Sequence, residues 1–292
     1  MTKVLLDGHE AREINWSEIC ESGFFSGSRV MTTILAQGTW LVDFERHLQR
    51  LNLQAEAMLL NSLPRHSVME FEIGSLLQRL NHPKRARVRV LLFKDKMQQT
   101  RRLVTAEIVD EIEAQSLQRD GVKLDTVLDR AWPRGSHIKT GIVGARAAGL
   151  ERAKGLGFND VLWLNGDGEL AEATWSNIFL MGRTGDLVEI ATPPASSGIL
   201  AGVTRQRITD LLMSAKIPVT ERVISEEEIP RFDEAFLTSS IRGIVPVTQI
   251  GRHRLQTLRP QAVFHHVVRL YNTWLSLGKI NNSEPLDPAA LS

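Results

Sequence analysis

The chain has 292 residues, 42% of them hydrophobic and 24% charged, an ordinary globular composition long enough for two domains. Its 35 Lys and Arg stand against 34 Asp and Glu, and a formal net charge of +1 offers no broad basic field to gather nucleic acid or an acidic membrane surface. The single cysteine, Cys20, excludes an internal disulfide and any multi-cysteine metal centre; no metal site is expected, and a reducing, cytoplasmic compartment is the default. Residues Met1 to Glu10 carry Asp7, His9 and Glu10 where an export signal would be basic and then apolar, and no run of about 18 apolar residues occurs, so neither export nor a membrane span is expected.

Along the chain, Arg29 to Val42 read as two short strands around a turn at Gln37-Gly38. A helix follows, because Phe44, Leu48, Leu51, Ala55 and Met58 recur at helical spacing on one apolar stripe, with Arg46 and Arg50 beside it. Val88, Val90 and Leu92 alternate with Arg87, Arg89 and Leu91, and Arg102 to Val109 is a second β-branched run, which predicts an antiparallel pair. The polar, acidic stretch 110–118 reads as an interdomain linker between a small α+β unit at 1–109 and a larger unit at 119–292, where strand signals resume at Val122 to Val127. The tail beyond Gly278 is expected to fray.

Four later segments carry candidate chemistry. Lys139 lies in Ser136-His-Ile-Lys-Thr-Gly, just before a helix expected over Ile142 to Lys154 and stopped by Gly155 and Gly157. By spacing alone it is an ordinary solvated lysine. Leu162 to Leu180 reads as a strand, a tight Asn165-Gly166-Asp167-Gly168 turn and a returning strand that bears Glu172. That carboxylate either turns toward the interior, where it needs a cationic partner, or sits on the wet face of the strand. Gly198-Ile-Leu-Ala-Gly-Val-Thr-Arg opens a helix whose first amides, at Val203 and Thr204, would cradle a phosphate; simple N-capping by Thr204 is the alternative. In Phe236 to Val247, Ser240 is a donor suited to phosphate, and the planar fork of Arg242 suits either a substrate carboxylate or an ion pair at an interface.

These segments, in this order, resemble the fold type IV pyridoxal-phosphate enzymes: branched-chain aminotransferases, D-amino-acid aminotransferases and 4-amino-4-deoxychorismate lyases. The resemblance rests on His47-Leu-Gln-Arg-Leu, Ile138-Lys-Thr, the Asp167-Gly…Ala-Glu-Ala-Thr-x-Ser-Asn-Ile-Phe hairpin, Gly198-Ile-Leu-x-Gly-Val-Thr-Arg and Asp233-Glu-Ala-Phe…Pro246-Val, and it covers most of the chain. It implies an α/β (α+β) fold with a small N-terminal α/β domain and a larger C-terminal pseudo-barrel domain. It also implies pyridoxal phosphate as cofactor, a small-molecule amino substrate and a homodimer. Lys139 would carry the cofactor as a Schiff base and act as catalytic base and acid. Glu172 would keep the pyridine nitrogen protonated, and Arg50, Val203, Thr204 and Ser240 would bind the phosphate.

The subgroup signals point away from the transaminases. Gly144 stands where branched-chain aminotransferases place an active-site tyrosine, and Tyr271 is the only tyrosine in the chain. Thr32-Thr33, in Arg29-Val-Met-Thr-Thr, resembles the Thr-Thr of aminodeoxychorismate lyases, and Arg242-Gly-Ile-x-Pro-Val also occurs in lyase-like members. The favoured expectation is therefore conversion of 4-amino-4-deoxychorismate to 4-aminobenzoate and pyruvate for folate synthesis, with Thr32 and Arg242 on the substrate. An amino-acid aminotransferase of the D-amino-acid or branched-chain type is the alternative. A non-catalytic scaffold that kept the fold is the rival from another class, and retention of both Lys139 and Glu172 argues against it.

Overall fold

The structure, a computed structural model, describes residues 2–10, 29–132, 138–139, 144–184 and 187–281. Its contacts divide the chain into two units, residues 1–110 with 274–292, and residues 111–273.

The first unit is built on a six-stranded antiparallel sheet of strands β1 (Thr2–Leu6), β2 (His9–Glu10), β3 (Arg29–Gln37), β4 (Trp40–Leu41), β5 (Ala86–Lys94) and β6 (Thr100–Ile108), in the order β2-β1-β6-β5-β3-β4. The alternating run around Val88 pairs with β6 in an unbroken register from Ala86↔Ile108 to Lys94↔Thr100. Helix α1 (Phe44–Ala57) follows the apolar stripe, burying Phe44, Leu48, Leu51 and Ala55. A second helix, α2 (His66–Arg79), buries Met69, Ile73, Leu76 and Leu77, a stripe of the same kind.

The stretch expected as a linker is helix α3 (Glu111–Asp120). Among its residues only Ala114 is buried, with Leu117 packed against the core of the second unit, so the amphipathic signal is too thin to separate from a polar connector. The last helix, α6 (Phe264–Asn281), spans residue 274, where the chain passes from the second unit to the first. Residues 282–292, expected to fray, and Cys20 lie outside the described residues.

The second unit carries a nine-stranded sheet. Its strands are β7 (Val122–Leu128), β8 (Asp160–Leu164), β9 (Leu170–Ala173), β10 (Asn177–Thr184), β11 (Leu187–Thr192), β12 (Val219–Glu221), β13 (Glu234–Ser239), β14 (Gly243–Ile250) and β15 (His253–Arg254). They run in the order β12-β11-β10-β13-β14-β7-β8-β9, with β15 paired to β14. The β14/β7, β7/β8 and β11/β12 pairs are parallel and the others antiparallel. A parallel neighbour needs a crossover, which helix α4 (Gly144–Gly155) supplies between β7 and β8, and α5 (Val203–Ser214) between β11 and β12. The core between these layers is apolar, from Val122 and Leu124 through Leu162, Ile178 and Leu180 to Leu237 and Val247. No helix among the described residues is long and apolar enough to cross a membrane.

Candidate active site

The site is built from the β8–β9 hairpin outward. Its turn is set by Asn165, whose Oδ1 accepts the backbone N–H groups of Asp167 and Glu169, both at 3.0 Å, while Gly168 takes a φ of +78°. The returning strand carries Glu172 inward, 8% exposed, which overturns the wet-face alternative. Its Oε2 accepts Asn177 Nδ2 at 2.9 Å and the backbone N–H of Leu200 at 3.0 Å. The same Asn177 amide donates to the Leu200 carbonyl at 3.0 Å, so one side chain fixes both the carboxylate and the loop that faces it. Asn177 lies inside the recognised motif, yet its role rests on a contact with a residue 23 positions away, which spacing does not reveal.

That loop leads directly into α5. The residue at the N-cap is Gly202, without a side chain to satisfy the first amides, and Thr204 lies inside the first turn; N-capping by Thr204 is therefore excluded. A Cβ on Gly202 would lie 1.9 Å from Asn177 Oδ1, so glycine is required where the helix start approaches the carboxylate's support. Arg205 fastens the loop from the other side. Its Nε donates to Thr192 Oγ1 at 3.2 Å and its Nη2 to the Pro193 carbonyl at 3.0 Å, with Glu221 Oε2 at 3.0 Å. Thr238 faces Asn177 across the β10–β13 register, and its buried hydroxyl, like that of Ser197, has no hydrogen-bond partner among the described residues.

A ring nitrogen that carries a proton needs a fixed carboxylate, and a phosphate needs unpaired N–H and O–H donors. Glu172 supplies the first, and the uncapped start of α5 with the orphaned hydroxyls supplies the second. These residues fit pyridoxal phosphate.

The other expected site residues fall as follows. Lys139 is half-buried between β7 and α4; its neighbours 133–137 and 140–143, including most of its motif, lie outside the described residues. Ser240 is half-buried in the turn between β13 and β14. Arg242, in the same turn, reaches Glu113 of α3 at 3.6 Å and offers its carbonyl to Gln118 Nε2 at 2.9 Å, so its ion pair lies within one unit. In the first unit Arg50 donates to Thr32 Oγ1 at 3.0 Å, and that hydroxyl lies 2.8 Å from His47 Nδ1. Thr32, expected on a substrate, is fully buried, and its hydroxyl contacts Arg50 and His47. Tyr271 is buried, its ring 3.2 Å from where a Cβ on Gly243 would stand, and it serves packing in that turn.

The arrangement stands on a mixed α/β scaffold. Comparison with known proteins gives its family: residues 29–250 match the profile of amino-transferase class IV. A protein of Thermotoga maritima named "Probable branched-chain-amino-acid aminotransferase" is 42% identical over 94 residues, 32% of this chain. That match takes in 33% of the relative, so the alignment spans about a third of its length. Among solved structures, the branched-chain aminotransferase of Thermoproteus uzoniensis aligns with a TM-score of 0.79 at 22% identity, covering 96% of this chain and 95% of that one. An aminotransferase of Brucella abortus bound to the cofactor PLP aligns with a TM-score of 0.75 at 22% identity, covering 94% and 98%. The chain belongs to the class IV aminotransferase family, and its fold is the type IV fold of pyridoxal-phosphate enzymes.

Proposed function

We propose that the chain is a pyridoxal-phosphate-dependent enzyme acting at the amine-bearing carbon of a small amino substrate, and that its reaction is transamination of an amino acid. The observation that carries the reading is the buried Glu172 carboxylate, fixed by Asn177 and Leu200 at the foot of an uncapped helix. When bound, pyridoxal phosphate supplies the electron sink for the carbanion left by Cα–H cleavage. Glu172 holds a proton at the ring nitrogen. Lys139 anchors the cofactor and carries the proton from Cα as base and later acid. The Val203 and Thr204 amides, the Thr204 and Ser240 hydroxyls and the Arg50 guanidinium bind phosphate. Arg242 takes a substrate carboxylate once released from Glu113, a surface pair that costs little to break. As in the family, we place the working unit as a homodimer, and sedimentation of a fully active monomer would contradict this.

Transamination is preferred over the lyase reaction because the strongest lyase signal, Thr32, is spent on Arg50 and His47. One observation still favours 4-amino-4-deoxychorismate lyase. Position 144 has no side chain, and the only tyrosine packs against Gly243, so no tyrosine-lined substrate pocket exists. Product analysis decides between them. Keto acid formed from an amino acid, with the amine passed to 2-oxoglutarate or pyruvate, supports transamination; 4-aminobenzoate and pyruvate from aminodeoxychorismate, with no amine transfer, selects the lyase. A protein that takes up no cofactor and turns over neither substrate is the scaffold.

A further inference from the structure

Arg146 is a second buried charge in this site that the mechanism above does not use. It lies in the first turns of α4, 8% exposed, with its guanidinium carbon 4.0 Å from the centre of the Trp132 ring. Trp132 is itself immobilised: it is 5% exposed, it stacks on Trp163 with centroids 6.2 Å apart, and its indole N–H donates to the Gly198 carbonyl at 3.1 Å. Gly198 stands two residues before Leu200, the residue whose N–H holds Glu172. A short chain of contacts thus runs from Arg146 through Trp132 and the 198–200 loop to the Glu172 carboxylate.

Burial pushes the Arg146 guanidinium below its ordinary pKa, and the charges of Glu172 and then Asp129 pull it back. A guanidinium does not give up its proton in a protein, so Arg146 remains a cation. Glu172 is buried, whereas Asp129 is partly solvated and engaged with the Ala131 N–H at 3.0 Å, so of these two charges the less screened is that of Glu172.

We propose that Arg146 is a positioning residue for Glu172, held on the Trp132 shelf so that the 198–200 loop keeps that carboxylate in place. The proposal rests on the cofactor reading of Glu172.

A double-mutant cycle tests it. Arg146→Gln, Arg146→Lys, Glu172→Gln and the Arg146→Gln/Glu172→Gln pair are compared by the affinity of the apoprotein for pyridoxal phosphate, the visible absorption band of the bound cofactor, and the single-turnover rate. Arg146→Gln should shift the band in the direction Glu172→Gln shifts it and slow the rate by about 2- to 100-fold. Arg146→Lys should restore most of both. In the Glu172→Gln background the Arg146 substitution should change neither. Effects of the two substitutions that simply multiply, or a loss confined to substrate KM, would overturn the proposal and make Arg146 a packing residue or a substrate ligand. An unaltered Glu172→Gln protein would instead sink the Glu172 reading itself. If Arg146→Gln does not fold, the cycle runs with Arg146→Lys against Glu172→Asp, with non-additivity of band position as the supporting result and additivity as the contrary one.

Discussion

Glu172 and Asp160 stand on the two strands of one hairpin, both buried. Glu172 receives two N–H donors on one oxygen. Replacing it with Gln keeps the shape and removes the charge, so cofactor occupancy should persist while the carbanion-forming step slows by about 30- to 1000-fold, on the order of 2–4 kcal/mol. Single-turnover rates measured beside cofactor occupancy separate the two effects, and parallel loss of both would make Glu172 a simple binding residue. Asp160 Oδ1 accepts the Val161 N–H at 2.8 Å and the Thr174 N–H at 3.3 Å, but Oδ2 has no hydrogen-bond partner among the described residues. Burial pushes its pKa up. The folded state therefore holds this proton more tightly than the unfolded chain does. The resulting stability is complete below the unfolded value of about 3.9 and is lost as pH rises through the folded value. Asp160→Asn should flatten that fall: melting midpoints of the two proteins should diverge in the mutant's favour as pH rises above about 4, and parallel curves would refute the assignment.

At the scale of elements, the loop between β11 and α5 does most to shape the site, and Arg205 is its fastener. Arg205→Met should leave the buried Pro193 carbonyl without its donor, while the Thr192 hydroxyl keeps its bond to the Ile178 carbonyl at 2.8 Å, and lower stability by about 1–3 kcal/mol, read as a drop in melting midpoint. An unchanged midpoint would mean that the loop is held by packing alone. Elements governed by local chemistry were legible in the sequence: the α1 stripe, the β5–β6 alternation and the Asn165 to Gly168 turn appear where spacing and turn residues put them. Helix α2 buries Met69, Ile73, Leu76 and Leu77 at helical spacing, but exposed Val68 and Phe71 on the same helix blur that stripe in the sequence. Helix α3 was not legible, since one buried alanine gives no period. The site divides along the same line. Glu172 and the α5 start belong to compact motifs, whereas Asn177, Arg146 and the true setting of Thr32 depend on neighbours brought in by the fold.

For the whole molecule, the family membership supports pyridoxal phosphate as the cofactor, and the central proposal is that Lys139 carries it. The most direct test is to incubate the purified protein with pyridoxal phosphate, reduce it with borohydride and map the phosphopyridoxyl adduct by peptide mass spectrometry. One adduct per chain on the peptide containing Lys139, absent from a folded Lys139→Ala protein that has also lost turnover, is the expected result. Adducts scattered over surface lysines, or a Lys139→Ala protein that keeps its activity without added amine, would contradict it.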